Sequence, residues 1–464
     1  MKKFGLWMAV CCALVFTLTA CGSGSSSDSG TSIGSDASTD SNKAASGAGA
    51  DEKDSNTGGN KTIVFSTFFL DERFQAAKKK YEKLHPNIEI KLEYVETDDA
   101  HMEAEMEKYI TTTNTAMLAG KGPDLLQMDL LPTDNYVKHN LLADLGTMMD
   151  QDSSLRKEDY FTNILDAVRT DDGLYSMPLS FFLMGFAGDE DAITKSGIKV
   201  DDKAWSWEDF TEIANQLVAT KTNGYSSALI YGSPENLLAD IVLDNYSLYV
   251  DKASGTAQFD IDRFMSLMDQ VKTMYVNHII NTDYRNGAYF RNIQINSPWD
   301  YLVSLREYGE NISLFIKPHD SDKPAGGYFL TYRDVGINAN SKVQAEAWDF
   351  LTFMMSEEIQ TPPTKAGFPI NKNAFAKQIK QLKEEGKVQA YKEGPLQGLI
   401  FKVDEAKLDQ LERFVNGAIH KVEYKSDKVR DTIIKDTVAY FTGQKSANDV
   451  AGLIQNKVTT YLNE

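Results

Sequence analysis

Cysteine is nearly absent from this chain. Of its 464 residues 3 are cysteines, and all of them, Cys11, Cys12 and Cys21, lie close to the N-terminus. The rest of the chain therefore has no disulfide, no thiolate nucleophile and no cysteine-based metal site. The 6 histidines are scattered, and no two of them have the i, i+4 spacing of a helical zinc site. A Walker loop and a dinucleotide-binding fingerprint are also missing. The sequence predicts neither a metal nor a cofactor.

Positive charge is in short supply. The chain has 48 Lys and Arg against 67 Asp and Glu, which gives a net charge of -19. Nucleic-acid binding is disfavoured, because a protein that follows phosphates needs a basic face. An apolar content of 42% with 11% aromatics excludes a disordered or fibrous chain. The length predicts two or three globular domains.

The N-terminus has the pattern of an export signal. Lys2 and Lys3 precede an apolar run over 4–20, and residues 18–21 read Leu-Thr-Ala-Cys. A basic start, a short apolar stretch and small residues before a cut site are typical of a secretory signal peptide, predicted here over 1–20. The run is shorter than the roughly 20 residues that span a bilayer, so an uncleaved anchor is the weaker interpretation. The tetrapeptide resembles a bacterial lipobox, which implies that Cys21 carries a lipid.

A polar tether is predicted to follow. Residues 21–60 are mostly Gly, Ser, Asp, Ala and Thr, with Ile33 as the one large apolar side chain. Such a segment buries too little surface to offset its ordering entropy, so we expect a flexible tether with a reach of roughly 30–40 Å. Loss of residues 1–20 removes two lysines and no acidic residue, which leaves a mature net charge of -21.

Strands and helices are predicted to alternate at the start of the globular body. Short β-rich runs occur at 62–66, 88–94 and 125–128, with helical apolar spacing over 74–84 and 102–118 between them. This order predicts right-handed crossovers and a mainly parallel sheet. Further along, Ser206 and Asp209 form a capping-box pattern that starts a helix at Trp207. A last helix is predicted over 447–462, with Val450, Leu453 and Val458 facing inward.

Patterns for catalysis are weak. Residues 30–34 read Gly-Thr-Ser-Ile-Gly, the string of a nucleophile elbow, but they lie in the predicted tether and not at a strand-to-helix turn. Carboxylates are abundant, and a glycosidase pair would need two of them roughly 5–10 Å apart across a cleft, which sequence does not reveal. We therefore predict no catalytic residue.

Seven segments, taken in order, resemble the extracellular solute-binding proteins (family 1) of carbohydrate ABC transporters, a family that includes the maltodextrin-binding proteins. They are AGKGPDL at 119–125, DGLYSMP at 172–178, WSWEDF at 205–210, NSPW at 296–299, GINANSK at 336–342, AWDFL at 347–351 and GFPINK at 367–372. Each segment alone is weakly specific, whereas their order and spacing cover nearly all of 61–464.

The resemblance implies an α/β fold of the two-lobed periplasmic-binding-protein type (type II), with hinge strands and a ligand cleft between the lobes. The first lobe is expected at 61–175 with 327–375, and the second at 176–326 with 376–464. The implied function is not enzymatic. A monomeric, lipid-anchored receptor on the extracytoplasmic side of the cell membrane would capture a sugar or oligosaccharide and deliver it to ABC permease subunits.

Candidate ligand contacts follow from the chemistry of sugars, which need aromatic plates and planar hydrogen-bonding groups. Trp299 is the first candidate because it stands at the family's aromatic turn, although a core role is the alternative. Asp129 would accept hydrogen bonds from sugar hydroxyls, or else cap the following helix. The remaining candidates adjoin predicted strands and could equally be cleft wall or packing: Phe68, Phe69, Met128, Phe181 and Phe182. The maltodextrin-binding branch tends to place a tryptophan near Met128 and a carboxylate near Phe182, so this chain permits a less polar ligand.

Three alternatives remain at the level of sequence. The protein could be a ligand-sensing lipoprotein for a membrane sensor kinase, or a secreted carbohydrate-active enzyme. The same receptor role could also serve another solute, such as a peptide or a polyamine.

Overall fold

A computed structural model describes residues 59–170, 173–250, 260–363, 366–423 and 427–463. The predicted signal peptide, Cys21 and the predicted tether as far as residue 58 lie outside these ranges. Among the described residues, no helix is both long enough and apolar enough to cross a membrane.

The described residues contain thirteen strands and seventeen α-helices. The strands are β1 Lys61–Ser66, β2 Ile88–Glu93, β3 Leu125–Gln127, β4 Met177–Asp189, β5 Leu229–Ile230, β6 Ile280–Asn281, β7 Phe290–Ile295, β8 Ile312–Phe315, β9 Gly327–Ile337, β10 Phe368–Pro369, β11 Lys387–Gln389, β12 Ile400–Lys402 and β13 Ala418–Lys421. The helices are α1 Glu72–Leu84, α2 Met102–Leu118, α3 Thr133–Lys138, α4 Leu145–Gln151, α5 Thr162–Ala167, α6 Glu190–Ser196, α7 Trp207–Thr220, α8 Pro234–Asp244, α9 Tyr246–Tyr249, α10 Ile261–Val276, α11 Pro298–Tyr308, α12 Gln344–Met355, α13 Glu357–Gln360, α14 Lys372–Glu385, α15 Glu405–Asn416, α16 Asp427–Phe441 and α17 Ala447–Asn463.

The first five elements follow the predicted strand–helix alternation. Strand β1 pairs in parallel with both β2 and β3, so the carboxyl ends of β1 and β3 meet at one edge. Helix α1 begins where the Asp71 side chain accepts the main-chain N–H groups of Arg73 and Phe74. It buries Phe74, Ala77 and Tyr81, one face of a 3.6-residue repeat. The helix ends before Pro86, which cannot continue it.

The prediction of a mainly parallel sheet is wrong for the sheet as a whole. Two long strands, β4 and β9, run antiparallel to each other, from the Met177–Val335 pair to the Met184–Tyr328 pair. Strand β3 pairs antiparallel with β9, and β7 and β8 pair antiparallel with β4. The hydrogen-bonded order β2-β1-β3-β9-β4-β7-β5-β6 therefore joins two parallel groups through two long antiparallel strands.

Three apolar clusters pack around this sheet. The largest contains the inward faces of β1, β4 and α12, and the second surrounds β5, β7, α8 and α10. The third and smallest lies at the end of β3, where Phe68 and Met128 meet Tyr109 of α2 and Tyr136 of α3. This last cluster supports the strand edge at which several candidate ligand contacts were predicted.

Two helix predictions can be checked directly. Helix α7 starts at Trp207 with a complete capping box, because Ser206 and Asp209 each accept the other's main-chain N–H. In α17, Val450 and Val458 are buried as predicted. Leu453 is only half-buried, since its neighbour Ile454 takes the inward position one step further round the helix.

Candidate functional site

The carboxyl ends of β1 and β3 bring four of the predicted contacts together. Phe68 and Met128 are buried in the third apolar cluster, and Phe69 follows with 42% of its surface exposed. The rings of Phe68 and Phe69 contact each other edge-to-face, with centroids 4.6 Å apart. Phe69 is thus an exposed aromatic ring on a packed base, as a stacking contact requires.

Asp129 is held by a residue that sequence reasoning missed. Its Oδ1 atom accepts the main-chain N–H of Arg333 at 2.9 Å. The Arg333 side chain then donates from Nε to Asp71 Oδ2 at 2.6 Å and from Nη1 to the carbonyl of Ala366 at 2.8 Å. Both side chains of the Arg333–Asp71 ion pair are close to buried, with 9% and 11% of the side-chain surface exposed. Asp129 therefore belongs to a fixed charged network.

Arg333 has an unusual backbone within β9. Its φ angle is +59°, in the left-handed region that residues other than Gly and Asn rarely adopt. The neighbouring positions Tyr332 and Asp334 keep their register with β4, opposite Ser180 and Pro178. Backbone strain of this kind persists where the surroundings impose it and is common at functional sites.

The two predicted phenylalanines of β4 point to different environments. Phe181 is fully buried in the largest cluster, where it stacks on Phe368 at 5.5 Å. Phe182 is also buried, but its ring stacks on Tyr332 at 5.1 Å. The guanidinium of Arg333 lies 4.4 Å from the centre of the same Tyr332 ring. Burial is the main reason that the pKa of Tyr332 is raised.

Trp299 lies in the first turn of α11 and is half-buried. Ser297 caps this helix by accepting the main-chain N–H of Asp300 at 3.1 Å. The Tyr391 ring packs edge-on against Trp299 at 4.6 Å, and its hydroxyl donates to Asp300 Oδ1 at 2.6 Å. Burial, reinforced by the Asp300 charge, raises the pKa of Tyr391. Asp300 therefore orients both the helix start and the ring that supports Trp299.

A short segment links Trp299 to the Arg333 network. The main-chain N–H of Gly367 donates to the carbonyl of Asn296, three residues before Trp299, at 2.8 Å. Its neighbour Ala366 accepts from Arg333. Gly367 has φ +99°, and a Cβ atom there would lie 2.4 Å from the Cβ of Ser180, so glycine is required. Asp129, after β3, is thus connected to the turn at the start of α11 through Arg333 and the segment 366–367.

The arrangement suits non-covalent recognition of a polar molecule that has weakly apolar faces. Exposed or half-buried rings at Phe69, Tyr332 and Trp299 accompany fixed charges at Asp129 and Arg333. Within the described ranges, no group of three His, Cys, Asp or Glu side chains is placed to hold a metal ion. The ligand contacts assigned to Trp299, Asp129 and the five apolar residues remain predictions.

The missed residues left a partial signal in the sequence. Strand β9 reads GYFLTYRDVGI, and a strand buried on both faces seldom carries the adjacent charges Arg333 and Asp334. That pair could have been singled out, whereas Tyr391 and Asp300 could not, because 91 residues separate them.

The fold and the crossing of its two long strands define the class: this is a periplasmic-binding-protein fold. Residues 70–361, more than half of the chain, match the bacterial extracellular solute-binding proteins. The chain belongs to this family.

Solved structures with the same fold have little sequence identity to this chain. An extracellular solute-binding protein of family 1 from Alicyclobacillus acidocaldarius is 17% identical with a TM-score of 0.60, covering 87% of this chain and 98% of its own. The sugar-binding protein MalE from Xanthomonas citri is 13% identical with a TM-score of 0.60, covering 86% and 97%. A periplasmic oligogalacturonide-binding protein from Yersinia enterocolitica is 15% identical with a TM-score of 0.59, covering 86% and 98%. At these identities the likeness shows the fold.

Proposed function

We propose that this family member is a lipid-anchored receptor that captures a carbohydrate and delivers it, unchanged, to an ABC importer. The observation that supports this best is the linked set of rings and charges at Phe69, Tyr332, Arg333 and the Trp299 turn. These groups offer stacking surfaces and hydrogen-bonding partners, which are what a sugar requires.

The proposed mechanism is closure of two lobes around the ligand. The first lobe would comprise 61–175 with 327–375, and the second 176–326 with 376–464. In this division the chain enters the second lobe just before β4 and returns to the first lobe at the start of β9, so these two paired strands would act as the hinge. A ligand that touches both lobes favours the closed form by its differential affinity, and the closed form is what the permease would recognise.

The proposed cargo is a sugar or oligosaccharide. The MalE protein and the oligogalacturonide-binding protein, which share the fold, are named for carbohydrate ligands. Phe69 of this chain has the exposure that a ring needs to stack on a pyranose face. A lipid on Cys21 and the tether over 21–60 would hold the body near the membrane.

A thermal-shift screen of the full mature chain against mono- and oligosaccharides tests the proposal. A ligand at 100 times its Kd stabilises the folded state by about 2.7 kcal/mol. Small-angle scattering with that ligand should show a smaller radius of gyration, since the lobes close. Recovery of the sugar unchanged after incubation, checked by mass spectrometry, distinguishes binding from hydrolysis. Absence of any stabilisation by sugars, together with stabilisation by peptides or polyamines, would contradict the carbohydrate assignment.

A further inference from the structure

Arg73 is a cation without an ion-pair partner in the part of the chain that the structure describes. It is half-buried in the first turn of α1. Among the described residues its side chain makes one hydrogen bond, from Nη2 to the carbonyl of Pro362 at 3.2 Å. Arginine has five N–H donors arranged to hold a carboxylate or phosphate, so most of this capacity is unused.

The surroundings of Arg73 compensate its charge only in part. Loss of hydration on burial, together with repulsion from Arg333, lowers its pKa to about 10. Asp71 is the carboxylate that acts most on Arg73, but it is already bonded to Arg333 Nε at 2.6 Å. Two guanidinium groups therefore share one carboxylate. A partly desolvated cation of this kind gains most from an anion that arrives with a ligand.

Arg73 also lies at the strand edge where the ligand is proposed to bind. Phe69 and Leu70, which connect β1 to α1, are 42% and 39% exposed and form an apolar shelf four and three residues before it. The ring of Tyr332 stacks on Phe182, and the positive charges of Arg73 and Arg333 both act to lower the pKa of the Tyr332 hydroxyl, against the larger effect of burial. The positive end of the α1 dipole adds to the same field. Shelf and cation together match a molecule with a weakly apolar face and an anionic edge.

We infer that the ligand is an acidic saccharide whose carboxylate binds Arg73 while its ring lies on Phe69. This inference rests on the proposed carbohydrate receptor and specifies its substrate class. A planar carboxylate fits the guanidinium fork through two parallel hydrogen bonds, which a hydroxyl cannot provide. Neutral sugars would leave the Arg73 charge uncompensated and would bind more weakly.

Calorimetry with matched pairs of sugars tests the inference. Galacturonic acid and its trimer are compared with galactose and galactotriose, and glucuronic acid with glucose. The acidic member should bind about 10- to 100-fold more tightly, the range for hydrogen bonds to charged groups. Arg73→Gln should abolish this preference and Arg73→Lys should retain part of it, because Lys keeps the charge without the fork. The preference should also weaken as salt concentration rises.

Lys79→Gln provides the matched control, since it removes one positive charge from an exposed position of the same helix. It should leave both affinities unchanged, and thermal unfolding should confirm that the Arg73 variants fold.

Three results would overturn the inference. They differ in whether the proposed carbohydrate receptor would also be refuted. Equal binding of acidic and neutral sugars, unaltered by Arg73→Gln, would refute the acidic-sugar assignment and leave the carbohydrate receptor intact. Preference for galactose 6-sulfate over galacturonic acid would refute the claim that the group bound by Arg73 is a carboxylate. Failure of every sugar to bind would refute the proposed function itself.

Discussion

Arg333 combines three properties that arginines on protein surfaces do not share. It is 7% exposed, its φ angle is +59°, and it binds Asp71, Asp129 and the carbonyl of Ala366 at once. A buried charge is tolerated only when it is paired and hydrogen-bonded, which these contacts achieve. At the scale of single residues, Arg333 holds together the start of α1, Asp129 after the end of β3 and the segment before β10.

Replacing Arg333 by Gln should strongly destabilise the fold. Asp71 would be left without its ion-pair partner, and breaking a buried pair costs about 3–5 kcal/mol. The free energy of unfolding, measured by urea titration, gives this loss. Arg285→Gln is the control, because Arg285 is 90% exposed in its pair with Asp283 and we expect no measurable change. If Arg333→Gln and Arg285→Gln had similar free energies of unfolding, the Arg333 network would contribute little to stability.

Replacing Trp299 by Ala should weaken sugar binding by about 1–3 kcal/mol without unfolding the protein, because an aromatic plate would be lost while α11 keeps its Ser297 cap. Calorimetry measures the affinity, and circular dichroism checks the fold. Trp299→Phe, which retains a ring, should lose less. Unchanged affinity in the Ala variant would remove Trp299 from the site.

At the scale of elements, β4 and β9 form the centre of the sheet and join its two parallel groups. Both are long, both are almost entirely buried, and together they pair with strands of both parallel groups. Residues near their shared centre, such as Phe182 and Tyr332, belong to the candidate site. Movement between the groups would therefore be transmitted through the same two strands that hold the site together.

The cap of α7 provides an element-scale prediction. Ser206→Ala removes the hydroxyl that accepts the Asp209 N–H at 3.1 Å, and the loss of an N-cap typically costs about 1 kcal/mol. Chemical denaturation measures the difference. Asn215→Ala alters an exposed position of the same helix and should change stability less. Equal effects would indicate that the capping box has no particular role.

A second element-scale prediction concerns pH and His420 on β13. Burial is the main cause of its lowered pKa; the charges of Lys323 and His319 add to the effect, and the hydrogen bond to the Pro324 carbonyl opposes it. The unfolded chain takes up this proton near the ordinary pKa of about 6.5, before the folded chain does. Stability should therefore be complete above about pH 6.5 and decline as pH falls toward the lower folded-state pKa.

Unfolding free energies measured between pH 7.5 and pH 5 check this decline. The pH dependence should become smaller in His420→Gln, which no longer titrates. His139→Gln, at an exposed position, should keep the slope of the original protein. If His420→Gln kept the full slope, other groups would account for the acid sensitivity.

At the scale of the whole molecule, the proposed lipid anchor would determine where the protein is located without affecting how tightly it binds sugar. Cys21→Ser should release the protein from membranes into the soluble fraction, because the lipid would have no attachment point. Fractionation followed by immunoblotting measures the distribution, and sugar affinity should be unaltered. Cys12→Ser, within the predicted signal peptide, is the control and should leave the protein at the membrane. Retention of the Cys21 variant would contradict lipid attachment at this residue.

Much of the fold could be predicted from local sequence. The alternation of strands and helices over 61–127 and the capped start at Trp207 depend on neighbouring residues, and the structure confirms both. The antiparallel pairing of β4 and β9 could not be derived in this way, because paired positions such as Phe329 and Leu183 are 146 residues apart. Sheet pairing of that range is a property of the whole chain.

The candidate site also contains residues that local sequence could predict and contacts that it could not. Phe69 and Asp129 could be proposed because they follow strands whose ends must meet. The contacts of Arg333 with Asp71 and Asp129 bridge 262 and 204 residues, and those of Tyr391 with Asp300 bridge 91. No local pattern encodes such pairs.

The resemblance of short ordered motifs to a known family was thus enough to predict the class of protein, and local patterns predicted the signal peptide and the elements from β1 to β3. These features follow from interactions among residues that are close in the chain. Tertiary structure alone decided which charges are paired and, among the described residues, left Arg73 without an ion pair. That outcome depends on how distant segments compete for the same partner: Asp71 is taken by Arg333, and only the folded chain brings the three together.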